Sequence, residues 1–401
     1  MTGRVVVAGA SLGGLRAAEQ LRAAGWRGEI TVIGDEPHMP YNRPPLSKEV
    51  LAGKASFDTL AFRPRTGADV DWRLGTAVTA ARLAERVVVL DDGTELPFDG
   101  LVAATGTRPR RLRCPGPALG RHTVRTLDDA RRLQDSLATP GTRLVVIGAG
   151  FIGCEVAATA TGLGVTDVTV VDPLPLPMVG ALGELLAGEL LRRHEERGVR
   201  FALGRSVTRF AGDEHVTGVV LDDGTLLPAD VVVEAVGSVP GTGWLDGNGL
   251  DLADGVLTDA SLRMGGLPYA VGVGDVARFP NARYDEVARR VEHWSLPTAM
   301  AKHAAPVLAA HLAGDVADPE PFAPLPTFWS DQHDFRLQSF GAPALGLDDV
   351  RVLDGGTGGD LLAGYHRAGR LVAVVALGGQ AVVARAARYR ADLLKQPALT
   401  G

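Results

Sequence analysis

Twice in this 401-residue chain a glycine-rich hexad stands where a pyrophosphate could rest on backbone N–H groups. The first, Gly9-Ala10-Ser11-Leu12-Gly13-Gly14, follows the apolar run Arg4-Val5-Val6-Val7-Ala8. The second, Gly148-Ala149-Gly150-Phe151-Ile152-Gly153, follows Leu144-Val145-Val146-Ile147. Each hexad ends a predicted strand and opens a predicted helix. Each is followed, roughly twenty residues on, by an acid that closes a second apolar run: Asp35 and Asp172. The N–H groups of a helix N-terminus lack intrahelical partners and carry partial positive charge, so they hold phosphate where no side chain keeps it away. Ser11 replaces the middle glycine of the first copy, but it is small and can itself donate a hydrogen bond. The acids suit ribose hydroxyls, and Asp172 would repel a 2′-phosphate, which favours NADH over NADPH. Two such units predict two dinucleotides with electrons passing between them.

The elements that must position these residues repeat as well. Residues 13–24 form the first predicted helix, with Leu15, Ala18 and Leu21 on one face and Gly25 as its C-cap. Asp91-Asp92-Gly93-Thr94 and Asp222-Asp223-Gly224-Thr225 are turn signals in matching places. The runs ending in Ala104-Thr105-Gly106 and Ala235-Val236-Gly237 match too, so a whole domain is duplicated. A Pro- and Arg-rich crossover, residues 108–117, separates the copies. Ala270-Val271-Gly272-Val273-Gly274-Asp275 lacks a fingerprint and completes one of the earlier domains; a helix over 298–312 follows it. Proline-dense residues 319–326 then lead into short strands, including Leu371-Val372-Ala373-Val374-Val375, and a closing helix over 381–394. The expected architecture is α/β, with two Rossmann-like dinucleotide-binding domains and a small α+β C-terminal domain. Its boundaries are 1–112 with 245–318, then 113–244, then 319–401.

Hydrophobic residues at 46% and charged residues at 22% are ordinary for a globular chain, and a net charge of −6 gives no reason to expect nucleic acid. No run approaches the roughly 20 apolar residues of a membrane span. Cys114 and Cys154 make no CxxC and no metal-ligand spacing, so no metal is expected. A soluble cytoplasmic protein is expected.

Tyr41-Asn42-Arg43-Pro44-Pro45-Leu46-Ser47-Lys48, Ala104-Thr105-Gly106-Thr107-Arg108-Pro109, Gly274-Asp275-Val276-Ala277 and Phe328-Trp329-Ser330-Asp331-Gln332 resemble the motifs of the FAD-dependent NADH:ferredoxin reductases. These serve bacterial cytochrome P450s and Rieske oxygenases. The resemblance implies that the first unit holds FAD through Gly9, Ser11, Gly13, Gly14, Asp35, Arg43, Lys48, Val78, Thr105, Gly106, Arg125, Asp275, Trp294 and Leu296. It implies that the second holds NADH through Gly148, Gly150, Ile152, Gly153, Glu155, Asp172 and Gly237. By the same resemblance Lys48 and Glu155 lie by the flavin N5 and the nicotinamide, and Trp329 lies where an iron–sulfur ferredoxin docks. A [2Fe–2S] partner and a monomer or weak homodimer are expected. Ferredoxins are acidic as a rule, which makes Arg63, Arg65, Arg73, Arg289, Arg290 and Arg336 candidates for a docking face. One motif departs from the pattern: Glu292-His293-Trp294 is present, but Met300 stands where relatives carry glutamine. The 43–48 loop holds no cysteine pair, which argues against disulfide reduction. Two other readings stay open: an NADH oxidase or small-acceptor flavin reductase, and an NADH-sensing flavoprotein with little turnover.

Overall fold

A computed structural model of the chain describes residues 3–65, 69–317 and 319–396; the expected domain boundary at 318 lies outside the described residues. Val5, Val6, Val7 and Ala8 are all fully buried in the strand Arg4–Ala8. A continuous apolar run of this kind is stable as a parallel strand covered on both faces. The sheet built on it is wholly parallel, in the order Ala270–Gly272, Gly100–Ala103, Arg4–Ala8, Glu29–Gly34, Asp71–Leu74. A second parallel sheet runs Arg121–His122, Val231–Glu234, Arg143–Ile147, Asp167–Asp172, Arg200–Leu203. Four strands of each correspond one to one. The fifth comes from late in the chain in the first sheet and from just before the unit in the second.

The duplication extends to single hydrogen bonds. Gly9 N–H donates to Ile33 at 2.7 Å and Gly148 N–H to Val171 at 2.8 Å; Ala104 N–H donates to Ala8 and Ala235 N–H to Ile147, both at 2.7 Å. In the two Asp-Asp-Gly-Thr turns, Asp92 accepts from the Thr94 N–H at 2.8 Å and Asp223 from the Thr225 N–H at 3.0 Å. Gly93 and Gly224 sit at φ 82° and 85°, which glycine adopts without strain. Each turn belongs to a small three-stranded antiparallel sheet. At the start of the crossover a strand, Thr107–Pro109, pairs antiparallel with Ser238–Pro240 and ties the two units together.

The remaining chain forms a five-stranded antiparallel sheet, ordered Thr327–Gln332, Phe335–Gly341, Arg370–Gly378, Leu361–Arg367, Val350–Gly355. The closing helix Gln380–Lys395 covers it through Val382, Ala386 and Leu393. The architecture is therefore the expected one: two Rossmann-like units and a small α+β unit.

Candidate active site

The helix Leu12–Ala23 begins directly after Ser11, whose side chain makes no cap on its own helix. Its first turn therefore lacks a side-chain cap, and Ser11, Leu12 and Gly13 line a cleft. The glycines are needed here for close approach: a Cβ on Gly9, at φ +118°, would lie 2.1 Å from the Ala104 carbonyl oxygen, and one on Gly14 would lie 1.9 Å from that of Gly9. The Ser11 hydroxyl accepts instead from Arg43 Nε at 3.1 Å. Arg43 is clamped further by Glu36 and by the Arg125 carbonyl at 2.7 Å. Burial pulls its guanidinium down, but Tyr41 and Glu36 outweigh this and hold it above its usual value.

From this cradle opens a cleft of about 1150 Å³, lined by Asp35, Val78, Thr105, Gly106, Arg125 and Asp275, and also by Lys48, Ile152, Glu155, Trp294 and Trp329. That exceeds the roughly 300–1,000 Å³ of ordinary small-molecule pockets and suits an extended ligand. Burial pushes the Asp275 carboxyl up to about 6, opposed by Arg125, which stands 3.9 Å away. Thr107 Oγ1 and His293 Nδ1 are buried beside the cleft with no hydrogen-bond partner among the described residues. Burial lowers His293 to about 4, so it stays neutral at pH 7. The wall thus offers unused polar groups to a dinucleotide.

Lys48 and Glu155, 107 residues apart, meet at 2.6 Å. Lys48 follows the single turn Pro44–Ser47, and Glu155 lies in the second fingerprint helix, Phe151–Gly162. The loop is fastened to that helix by Ser47 Oγ donating to Glu155 at 2.5 Å and Thr159 Oγ1 donating to the Ser47 carbonyl at 2.7 Å. Ser330 of the C-terminal sheet donates to the other Glu155 oxygen at 2.6 Å. All three units meet at one carboxylate.

Gly148, Gly150, Gly153, Asp172 and Gly237 are not among the residues lining this cleft. A Cβ on Gly148 would lie 2.3 Å from the Ala235 carbonyl oxygen, one on Gly153 would lie 1.9 Å from that of Gly148, and one on Gly150 would meet nothing. Asp172 accepts from the backbone of Ala149 at 2.7 Å and of Leu174 at 2.8 Å. Sequence around Asp172 offers no arginine, but the fold supplies one. Arg205 donates its N–H to the Asp172 carbonyl and pairs its guanidinium with Asp223 at 3.0 Å.

Leu296 is a correction: it is buried in the core and does not line the cleft, where its neighbour Pro297 stands instead. The helix Leu296–Leu312 starts at that point and turns the leucine inward. Gly14 is a packing contact rather than a lining residue. Met300, in the place of glutamine, is fully buried, and its thioether accepts the Gly274 N–H at 3.3 Å. Of the proposed docking arginines, Arg73, Arg289, Arg290 and Arg336 are held by Asp71, Asp285, Asp254 with Glu292, and Asp331. Sequence reading missed His194, the carboxylate clamp of Glu36, and the inward role of Ser330 and Gln332.

Residues 3–301 match the pyridine nucleotide-disulphide oxidoreductase family, and residues 327–395 match the reductase C-terminal family. The chain belongs to the pyridine nucleotide-disulphide oxidoreductases. It is 38% identical over 379 residues to a probable ferredoxin reductase of Castellaniella defragrans, covering 92% of this chain and 89% of that protein. It is 36% identical to putidaredoxin reductase of Pseudomonas putida, with 92% and 87% covered. The structure of a covalent putidaredoxin reductase–putidaredoxin complex superimposes with a TM-score of 0.88 at 33% identity, over 97% of this chain and 93% of that one. Cys114 and Cys154 are unbonded, and burial pushes the Cys154 thiol far up.

Proposed function

We propose that the protein is an FAD-dependent NADH:ferredoxin reductase that supplies single electrons to a [2Fe–2S] ferredoxin serving a cytochrome P450 or Rieske oxygenase. Residues 1–112 with 245–318 make the FAD domain, 113–244 the NADH domain, and 319–401 the C-terminal domain. The observation that carries this reading is the partly buried Lys48–Glu155 pair, which joins the loop of the first unit to the fingerprint helix of the second at the cleft wall. Likeness to relatives named as ferredoxin reductases over nearly the whole chain supports it.

FAD, when bound, would supply the chemistry that links a two-electron hydride donor to a one-electron iron–sulfur acceptor. The Gly9–Gly14 turn, with Arg43 and Arg125, would hold its pyrophosphate. Asp35 and Asp275 would accept from its hydroxyls. Lys48 would offset negative charge gathering at the ring, and Glu155 would orient the nicotinamide. Gly148, Gly150 and Gly153 would bind the NADH pyrophosphate, with Asp172 and the Gly237 turn at its ribose. Phe328 and Trp329 form an aromatic edge of the cleft where an iron–sulfur protein can approach. We further propose a cytoplasmic monomer or weak homodimer; two unbonded cysteines fit a reducing compartment.

The purified protein is expected to be yellow, and to reduce a [2Fe–2S] ferredoxin with NADH much faster than it consumes oxygen. Rapid flavin reduction with no transfer to several ferredoxins would refute the assignment.

A further inference from the structure

A line of hydrogen bonds runs from Glu155 through the C-terminal sheet to the helix Val179–Glu195 of the second unit. Glu155 Oε1 accepts from Ser330 Oγ at 2.6 Å, and Gln332 Nε2 donates to the same Ser330 oxygen at 2.9 Å. Gln332 Oε1 lies 2.7 Å from His194 Nε2, and His194 Nδ1 lies 3.2 Å from His333 Nε2. Ser330, Gln332 and His194 are exposed by 1% or less.

The direction of this chain is forced one residue at a time. The carboxylate of the ion pair only accepts, so Ser330 spends its single proton on Glu155 and must accept from the Gln332 amide. The Gln332 oxygen then faces His194, whose Nε2 must carry the proton. Burial lowers His194 to about 4, so the ring is neutral at pH 7 and its bare Nδ1 accepts from His333. Every donor points toward Glu155. Lys48 and Ser47 complete the set on its other oxygen. An amide does not pass a proton along in the way a hydroxyl or imidazole does, so Gln332 interrupts any route for protons. The chain is an array of fixed dipoles.

We propose that Ser330, Gln332 and His194 are positioning residues that fix the rotamer of Glu155 for hydride transfer, so that the C-terminal sheet governs the NADH half-reaction. The proposal rests on the placement of Glu155 at the nicotinamide.

The test is anaerobic stopped-flow flavin reduction by NADH in the FAD-loaded protein. Ser330→Ala is expected to slow reduction about tenfold, the effect of one lost hydrogen bond to a charged group, and Gln332→Met about threefold, the effect of one lost bond to the neutral Ser330 hydroxyl. Flavin content, NADH KM and ferredoxin reduction by the dithionite-reduced enzyme should be unchanged. Because the chain acts as a unit, Gln332→Met should add little in the Ser330→Ala background. Should either single variant fail to retain flavin, the other carries the same measurement. Full reduction rates in both, with Glu155→Gln slow, would overturn the proposal while leaving Glu155 in place. A Glu155→Gln variant as fast as the parent would overturn the placement of Glu155 and the proposal with it.

Discussion

The two glycine cradles share their backbone bonds almost atom for atom, yet their surroundings differ. Over the first lie Arg43, locked by Glu36 and the Ser11 hydroxyl, and Asp275, brought by the strand Ala270–Gly272 from far along the chain. Around the second, a Cβ on Gly150 would face open space, and Asp172 is occupied by its own backbone neighbours. A covered cradle suits a group that stays, and an open one suits a group that comes and goes. The fingerprint shapes both helix starts alike, and what is packed above each makes them differ.

The strongest attack on this comparison exchanges matched glycines. Gly14→Ala and Gly153→Ala each force a Cβ to within 1.9 Å of a carbonyl oxygen, a clash only backbone movement relieves. Each should cost more than about 4 kcal/mol. Absorbance of the purified proteins should show flavin lost from the first variant and kept by the second. Equal loss from both would erase the distinction.

Glu155→Gln lies where the units meet and should slow flavin reduction by NADH about 100-fold without loss of FAD. Lys48→Met strands a buried carboxylate, and denaturant unfolding should report about 3 kcal/mol lost.

Smaller effects separate the two acids. Asp172→Ala should raise the NADH KM about tenfold and narrow the gap to NADPH, since it removes the carboxylate that repels a 2′-phosphate. Asp35→Ala should leave that KM alone and weaken FAD retention. Steady-state kinetics with flavin titration decides between them.

The smallest effect is a pH dependence of the FAD-free protein. Folding raises the Asp275 carboxyl from 3.8 to about 6, so the folded state takes up its proton more readily than the unfolded chain. This contribution is fully present below pH 3.8 and is lost as pH climbs through about 6. The urea midpoint should therefore fall across that window, and Asp275→Asn should flatten the fall. A variant with the parent's slope would place the titration elsewhere.

Much of this was legible beforehand where local residues dictate local backbone. The hexads, the two Asp-Asp-Gly-Thr turns and the paired acids all announce themselves within a few positions. The donor chain onto Glu155 did not, because Ser47, Ser330, Gln332 and His194 are scattered over hundreds of positions. A faint signal existed: Ser330 and Gln332 alternate with Phe328 on one face of a strand, and both polar residues are buried. Arg205 was equally invisible from Asp172, since neighbours across parallel strands are distant in sequence.

Sequence alone determined that the chain would build two glycine-shaped helix starts and duplicate the unit that carries them. Those features depend on positive φ, small side chains and hydrophobic period, all of which are properties of short segments. Only the tertiary structure decided which cradle is roofed, which arginines are already neutralised, that Leu296 turns inward, and that one carboxylate gathers donors from three units. These outcomes depend on packing between remote segments, where a burial cost is met only by whichever partner the fold delivers.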